Sequence, residues 1–251
     1  MKPYVLGIDI GGTNSVFGIV DARGTILASG SIKTQKYAAV EDYVNDLCNE
    51  ILKLVKQEDV EDKIEGVGVG APNGNYFNGT IEYSPNLPWK GIIPLAQMLE
   101  NKLKLPVTIT NDANAAAIGE MTYGAARGIK DFIMITLGTG VGSGIVVNGQ
   151  LVYGHDGFAG ELGHVIMRRQ NGRLCGCGRT GCLEAYTSAT ELPERHGNFW
   201  KSELMSLLYV CCLFRTSHLK MFMKLLCRVT SWLSRYLIIP GRCWEKLLPI
   251  L

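Results

Sequence analysis

The chain has 251 residues, of which 47% are hydrophobic and 19% charged, and a net charge of +2. That length can bury a good core in one large or two small domains. The near-neutral balance gives no electrostatic reason to expect nucleic acid or a membrane surface as a partner.

Tyr4 to Ile10 is apolar and β-rich and follows Lys2-Pro3 directly. No long apolar stretch precedes it, so no signal peptide is expected. Strands are expected at Tyr4–Ile10, Ser15–Val20 and Thr25–Ile32, an opening meander. Val40 to Lys56 carries Val40, Tyr43, Val44, Leu47, Cys48, Ile51, Leu54 and Val55 at helical spacing. A strand at Ile64–Ala71, a helix at Pro94–Lys104, a strand at Val107–Thr110 and a helix at Ala113–Tyr123 follow. The meander pattern then restarts with Phe132–Leu137 and Gly142–Val147.

Two of these strands run into glycine-threonine turns. Asp9 is followed by Ile10-Gly11-Gly12-Thr13, and Leu137 by Gly138-Thr139-Gly140. Such a turn exposes backbone N–H groups with no Cβ to block a phosphate. The Asp9 carboxylate can hold Mg²⁺ through water, since that ion prefers oxygen and keeps much of its hydration. A single Gly-Gly-Thr is also an ordinary hairpin turn; the second copy favours phosphate binding. Neither loop is a Walker A or a dinucleotide fingerprint.

Asp112 lies in Asn111-Asp112-Ala113-Asn114, where a strand passes into a helix. A helix N-cap is one role for a carboxylate there. The other is a general base that takes a hydroxyl proton during phosphoryl transfer. Farther on, His164, Cys175, Cys177 and Cys182 offer one imidazole and three thiols, interleaved with Gly176, Gly178 and Gly181. That set suits a closed tetrahedral zinc site; three free thiols beside a surface histidine is the plainer alternative. Glu161 and Glu184 flank the segment. Thiols spaced for metal, without a secretory signal, point to the cytoplasm.

His164, the CxCGxxGC run and Glu184 together resemble the signature of the ROK family, which contains sugar kinases and sugar-responsive repressors. The resemblance runs from about Tyr4 to Thr190, with the other motifs in the expected order. The two strand–Gly–Thr hairpins are similar to the phosphate loops of actin-like ATPases. The resemblance implies an α/β, actin-like ATPase (ribonuclease H-like) two-lobe fold, with a first lobe over 1–112 and the start of a second over 113–190. It implies ATP-dependent phosphorylation of a hexose at its 6-hydroxyl, glucose first, with Mg²⁺ and structural Zn²⁺. Asp112 is then the catalytic base. Asn86, Asn111, Asp112, Glu161, His164 and Glu184 contact the sugar, and Asp9, Gly11, Gly12, Thr13, Gly138, Thr139 and Gly140 serve the nucleotide.

Pro85-Asn86-Leu87 matches a sugar-binding motif of the family, though Asn86 also suits a plain turn. Asn73 stands where the family usually has glycine after proline. Asparagine tolerates positive φ better than other side chains, so the loop should keep its shape. Alternatives are an N-acylmannosamine kinase or other ROK sugar kinase, and a non-catalytic sugar-binding protein, either repressor-like or a truncated pseudokinase. A repressor would carry a helix-turn-helix arm ahead of the first loop, and here the first strand starts at Tyr4. A homodimer is expected if the second lobe is complete.

The pattern breaks after Thr190. Residues 191–251 contain no alanine or aspartate, and hold nine Lys/Arg against four Asp/Glu. The first 190 residues hold sixteen against nineteen. Nothing in this tail resembles the family's adenosine-binding segment, so the second lobe is expected to be incomplete and the chain as written inactive. Back-translation offers a cause. One extra G ahead of the codons for Glu191 to Lys201 permits the reading GVARTAREFLE, which is helical in pattern and rich in alanine. The tail is therefore expected to be a shifted reading frame.

Overall fold

The computed structural model describes residues 2–188 and the backbone of a further strand at 209–212. All of these belong to one compact unit. The first lobe opens with β1 (Tyr4–Ile10), β2 (Asn14–Asp21) and β3 (Ile26–Lys33). In β1 the alternate residues Leu6, Ile8 and Ile10 are buried while Val5 and Asp9 face outward, the period-two pattern of a half-buried strand.

Helix α1 (Val40–Gln57) buries Tyr43, Val44, Leu47, Cys48, Ile51 and Val55. Glu41 and Asp42 in its first turn and Lys56 in its last complement the helix dipole. Strand β4 (Ile64–Ala71) follows, then β5 (Gly74–Asn75), β6 (Thr80–Glu82) and β7 (Ile92–Ile93), which form a small sheet of their own. Helix α2 (Leu95–Leu103) is capped by Pro94 and leads to β8 (Val107–Asn111). The main sheet runs β3-β2-β1-β4-β8. β1, β4 and β8 are parallel, so their carboxyl ends open on one edge, the usual side for ligands in such sheets.

Helix α3 (Asp112–Thr122) lies between this sheet and the next. The second sheet comprises β9 (Phe132–Leu137), β10 (Val141–Val147) and β11 (Gln150–Leu151). Small residues let α3 approach both sheets. A Cβ on Gly144 would stand 2.6 Å from Ala117 Cβ, and one on Gly142 would stand 2.8 Å from Ala113 Cβ. On the opposite side a Cβ on Gly70 would stand 3.2 Å from Ala115 Cβ. The alanine run seen in the sequence is therefore a packing requirement as well as a helix former.

A four-residue helix, α4 (Glu184–Thr187), follows the cysteine segment, and β12 (Tyr209–Cys212) is the last described element. The order of the second sheet is β11-β10-β9-β12. In the first lobe the neighbour of β1 opposite β2 is the parallel strand β4. In the second, the corresponding side of β9 carries β12 in antiparallel orientation. The second lobe therefore repeats the opening meander but not the strand pairing that follows it. Apart from that strand, the reading of 191–251 as a shifted frame lies outside the described residues.

The expected strands and helices form within one or two residues of their expected ends. The small sheet β5–β7 and the strand β11 were not expected, because two- and three-residue strands carry no periodicity. Asn73, just before β5, takes φ 55° and donates its amide to the Glu82 backbone oxygen at 2.9 Å. The loop thus keeps the turn that glycine would allow.

Candidate active site

Strand register assembles the first part of the site. Asp9 pairs with Gly70 on β4, and Gly70 pairs with Thr110 on β8, two residues before Asp112. Gly70 adjoins both acidic residues: a Cβ there would lie 3.6 Å from Asp112 Cα and 3.9 Å from Asp9 Oδ1. Both acids are exposed at the surface, with part of each carboxyl packed against its neighbours. Burial is accordingly the main force raising each carboxyl above its usual range. For Asp9 the like charge of Asp112 adds to it, whereas for Asp112 the Ala113 N–H pulls the other way.

The helix cap at this junction is Asn111. Its Oδ1 accepts from Ala113 N–H at 2.9 Å, and Asp112 Oδ1 shares the same donor at 2.7 Å. Asp112 is therefore the first helical residue and not the N-cap, which leaves its second oxygen for other work.

Both glycine loops are tight. Gly11 N–H donates to Asn14 O at 3.0 Å, and Thr34 N–H donates to Thr13 O at 2.9 Å. Beneath them a buried hydroxyl chain joins Thr34 to Ser15 at 2.8 Å and Ser15 to Tyr43 at 2.7 Å. A Cβ on Gly12 would stand 2.8 Å from the backbone oxygen of Asn86, so Asn86 is seated against the first loop. Backbone cannot swing aside as a side-chain tip can. Gly12→Ala is therefore expected to cost about 1–3 kcal/mol, read by urea unfolding; an unchanged midpoint would mean that the loop has room. In the second loop Gly138 N–H donates to Gly140 O at 2.9 Å. A Cβ on Gly138 would meet only open space, which leaves the loop's face free for a ligand. Thr139 lies between these two glycines.

Glu161 precedes the short turn Leu162–His164, and its Oε2 lies 4.0 Å from His164 Nε2. Burial raises its carboxyl most; His164 opposes the rise, and the charges of Asp112 and Glu184 add to it. The structure thus brings Asp112, Glu161 and Glu184 within mutual electrostatic reach. Glu184 accepts the Val141 N–H at 2.9 Å through Oε2, and its Oε1 lies 3.6 Å from Cys175 Sγ. It therefore joins the second loop to the cysteine segment. Sequence reasoning did not find that link, since a backbone donor leaves no mark in a sequence; the one available clue is the glycine at 140, where a Cβ would stand 2.6 Å from Glu184 Oε2.

The four candidate metal ligands converge. His164, Cys175, Cys177 and Cys182 present ligand atoms within 4.8 Å of one another, and no other such group occurs among the described residues. Cys177 Sγ to Cys182 Sγ and Cys175 Sγ to His164 Nδ1 are both 3.7 Å. Zn–S bonds of about 2.3 Å at tetrahedral angles put sulfurs roughly 3.8 Å apart, close to the two 3.7 Å separations, so the chemistry and spacing of the set suit zinc. All three thiols are free. Burial raises the Cys175 thiol to about 12. Burial also opposes ionisation of Cys177, but the backbone and side chain of Arg179 overcome it and bring that thiol to about 6. Gly178 and Gly181, at φ 85° and 87°, turn the chain around the cluster. The nearest heavy atom to a Cβ on Gly181 would be the backbone oxygen of Arg168, so no side chain fits there.

Two meander-led sheets, a glycine loop on each and a group of acids beside them define, among the described residues, a fold of the actin-like ATPase class. The chain belongs to the ROK family, whose model matches residues 5–238 and so continues past Thr190. It is 39% identical over 195 residues to the glucokinase of Halalkalibacterium halodurans, covering 76% of this chain and 58% of that protein. It is 35% identical to a xylose repressor of Caldicellulosiruptor bescii, over 75% of this chain and 47% of that one. A solved ROK family glucokinase from Streptomyces griseus, in complex with glucose and AMPPNP, matches with a TM-score of 0.65 and 37% identity, covering 81% of this chain and 62% of that one. The chain thus spans about three fifths of the length of these glucokinases.

Proposed function

We propose that this chain carries the sugar site and the phosphate loops of an ATP-dependent hexose kinase that phosphorylates the 6-hydroxyl, with glucose as the preferred hexose. The observation that carries the reading is the pair Asp9 and Asp112, brought within electrostatic reach of one another beside Gly70 by the strand register. The likeness to a glucokinase solved with glucose and AMPPNP supports it.

Each residue then has a task. Asp112 takes the proton from the sugar hydroxyl as it attacks the terminal phosphate. Its raised pKa suits a base, and turnover should fall as pH drops through that value. Glu161, His164, Glu184, Asn86 and Asn111 bind sugar hydroxyls through planar carboxylate, amide and imidazole groups. The loops Gly11–Gly12–Thr13 and Gly138–Thr139–Gly140 cradle the phosphates; Gly11 and Gly138, whose N–H groups close the turns onto Asn14 O and Gly140 O, serve by leaving room for them. Asp9 holds Mg²⁺ through water, and the bound ion offsets phosphate charge. His164, Cys175, Cys177 and Cys182 hold a structural zinc that ties Glu161 and Glu184 into one segment. We place the protein in the cytoplasm, where free thiols persist. No helix of the described residues is long and apolar enough to cross a membrane. A homodimer is proposed for a form with a complete second lobe.

The likeness to xylose repressors favours a second reading, sugar binding without turnover. The tail bears on the choice. Composition and charge both change at residue 191, and we propose a shifted frame from that point. Inserting one base after the Thr190 codon should open a longer reading frame whose product phosphorylates glucose with MgATP in a coupled assay, while the chain as written should not. Glucose binding without turnover by the restored product would favour the repressor-like reading. A stop within a few codons of the insertion would remove the frame proposal.

A further inference from the structure

The strand that leaves the second glycine loop also carries the segment that holds the acids. Three contacts join them. Ser143 Oγ donates to the Gly160 carbonyl, which also accepts Leu162 N–H at 2.7 Å; Ser143 Oγ is a second, longer acceptor for that N–H at 3.4 Å, so the hydroxyl meets the turn on both sides of Glu161. Gly163 is packed so close to Val141 that a Cβ on it would stand 2.4 Å from the Val141 oxygen. Glu184 accepts Val141 N–H at 2.9 Å. Ser143 is 5% exposed, so its hydroxyl has no competing access to bulk water. A buried hydroxyl that both donates and accepts fixes its partners more firmly than a single bond could.

We propose that Ser143 is a positioning residue that fastens Glu161 to β10, and that Ser143 and the Glu184–Val141 bond together couple sugar binding to phosphate binding at Gly138–Gly140. The inference rests on the kinase reading above for the identity of the two ligands. A phosphate group seated against the loop at Gly140 pulls on Val141, the next residue. Val141 moves Glu184, and two residues on Ser143 moves Glu161. By linkage the effect is reciprocal: bound sugar holds the loop in its phosphate-binding shape. No adenosine contact is involved, so a triphosphate without a base is a sufficient probe.

The test uses the full chain, with glucose and magnesium tripolyphosphate titrated singly and together by calorimetry. Amide hydrogen exchange over residues 160–165 and metal content are measured alongside. In the wild type each ligand should tighten the other about fivefold or more. Ser143→Ala should weaken glucose about tenfold, bring the coupling factor to about one and speed exchange across residues 160–165, with metal content unchanged. Ser143→Cys, close in volume but a poor hydrogen-bonder, should act in the same direction if the alanine variant folds badly. Glu184→Gln keeps an acceptor for Val141 and should preserve tripolyphosphate affinity, whereas Glu184→Ala should lose it. Unchanged glucose affinity, coupling and exchange in both Ser143 variants would overturn the proposal. A wild type that binds no glucose would sink the kinase reading instead, and the exchange comparison would still decide whether Ser143 fastens the Glu161 segment.

Discussion

Asp112→Asn in the frame-restored protein is expected to lower turnover about 10²–10⁴-fold, the range of a lost general base, with glucose affinity nearly unchanged. The amide still hydrogen-bonds but cannot accept a proton. The helix should survive, because Asn111 supplies its cap and the Ala113 N–H keeps an acceptor. Stability gives a second readout. The Asp112 carboxyl is raised in the fold, so the folded chain binds more protons than the unfolded one above the ordinary carboxylate range. Stability therefore falls as pH climbs through that window, and at neutral pH the charged group is a net cost. The variant should melt at or above the wild-type temperature at pH 7, and the difference should fade in acid. Near-wild-type turnover would reduce Asp112 to an orienting residue.

Loss of one metal ligand should have the other large effect. Cys177→Ser is expected to weaken zinc binding by at least about 10–100-fold, since even outer-shell changes do that much. It should also lower the melting temperature, because metal binding to such a site is folding free energy. Glucose affinity should fall with it, as Glu161 and Glu184 flank the ligand segment and Glu184 reaches toward Cys175. Cys48→Ala is the control: that thiol sits in the first-lobe core on α1, far in sequence from the cluster, and should leave metal content unchanged. Elemental analysis and a chelator titration provide the check. A Cys177 variant that retains one zinc per chain would take this residue out of the ligand set.

The acids behave as a group. Asp112 bears electrostatically on Asp9, and Asp112 and Glu184 on Glu161, while burial raises Asp9, Asp112 and Glu161. Cationic ligands and Mg²⁺ should therefore stabilise the described lobes more than sugar alone does, through the same carboxylates that catalysis would use.

Local chemistry made much of this legible in advance. Strand alternation in Tyr4–Ile10, the helical spacing of Val40 to Val55, the two glycine-threonine turns and the cysteine spacing are short-range patterns, each set by one element's own geometry. They yielded the element order, the loops and the four converging ligands without any knowledge of contacts. Asn73 likewise follows from what one residue's backbone can adopt. What only the tertiary structure decided is pairing across distance. Register sets Asp9 opposite Gly70 and Gly70 beside Thr110. The choice of Asn111 over Asp112 as cap depends on where the backbone turns helical, since both side chains reach the Ala113 N–H. The bonds from Glu184 to Val141, and from Ser143 to both neighbours of Glu161, run to backbone groups that every residue possesses. No residue type announces such a partner, so spacing cannot reveal it; three-dimensional packing selects it, and only the glycines that make room leave a trace in the sequence.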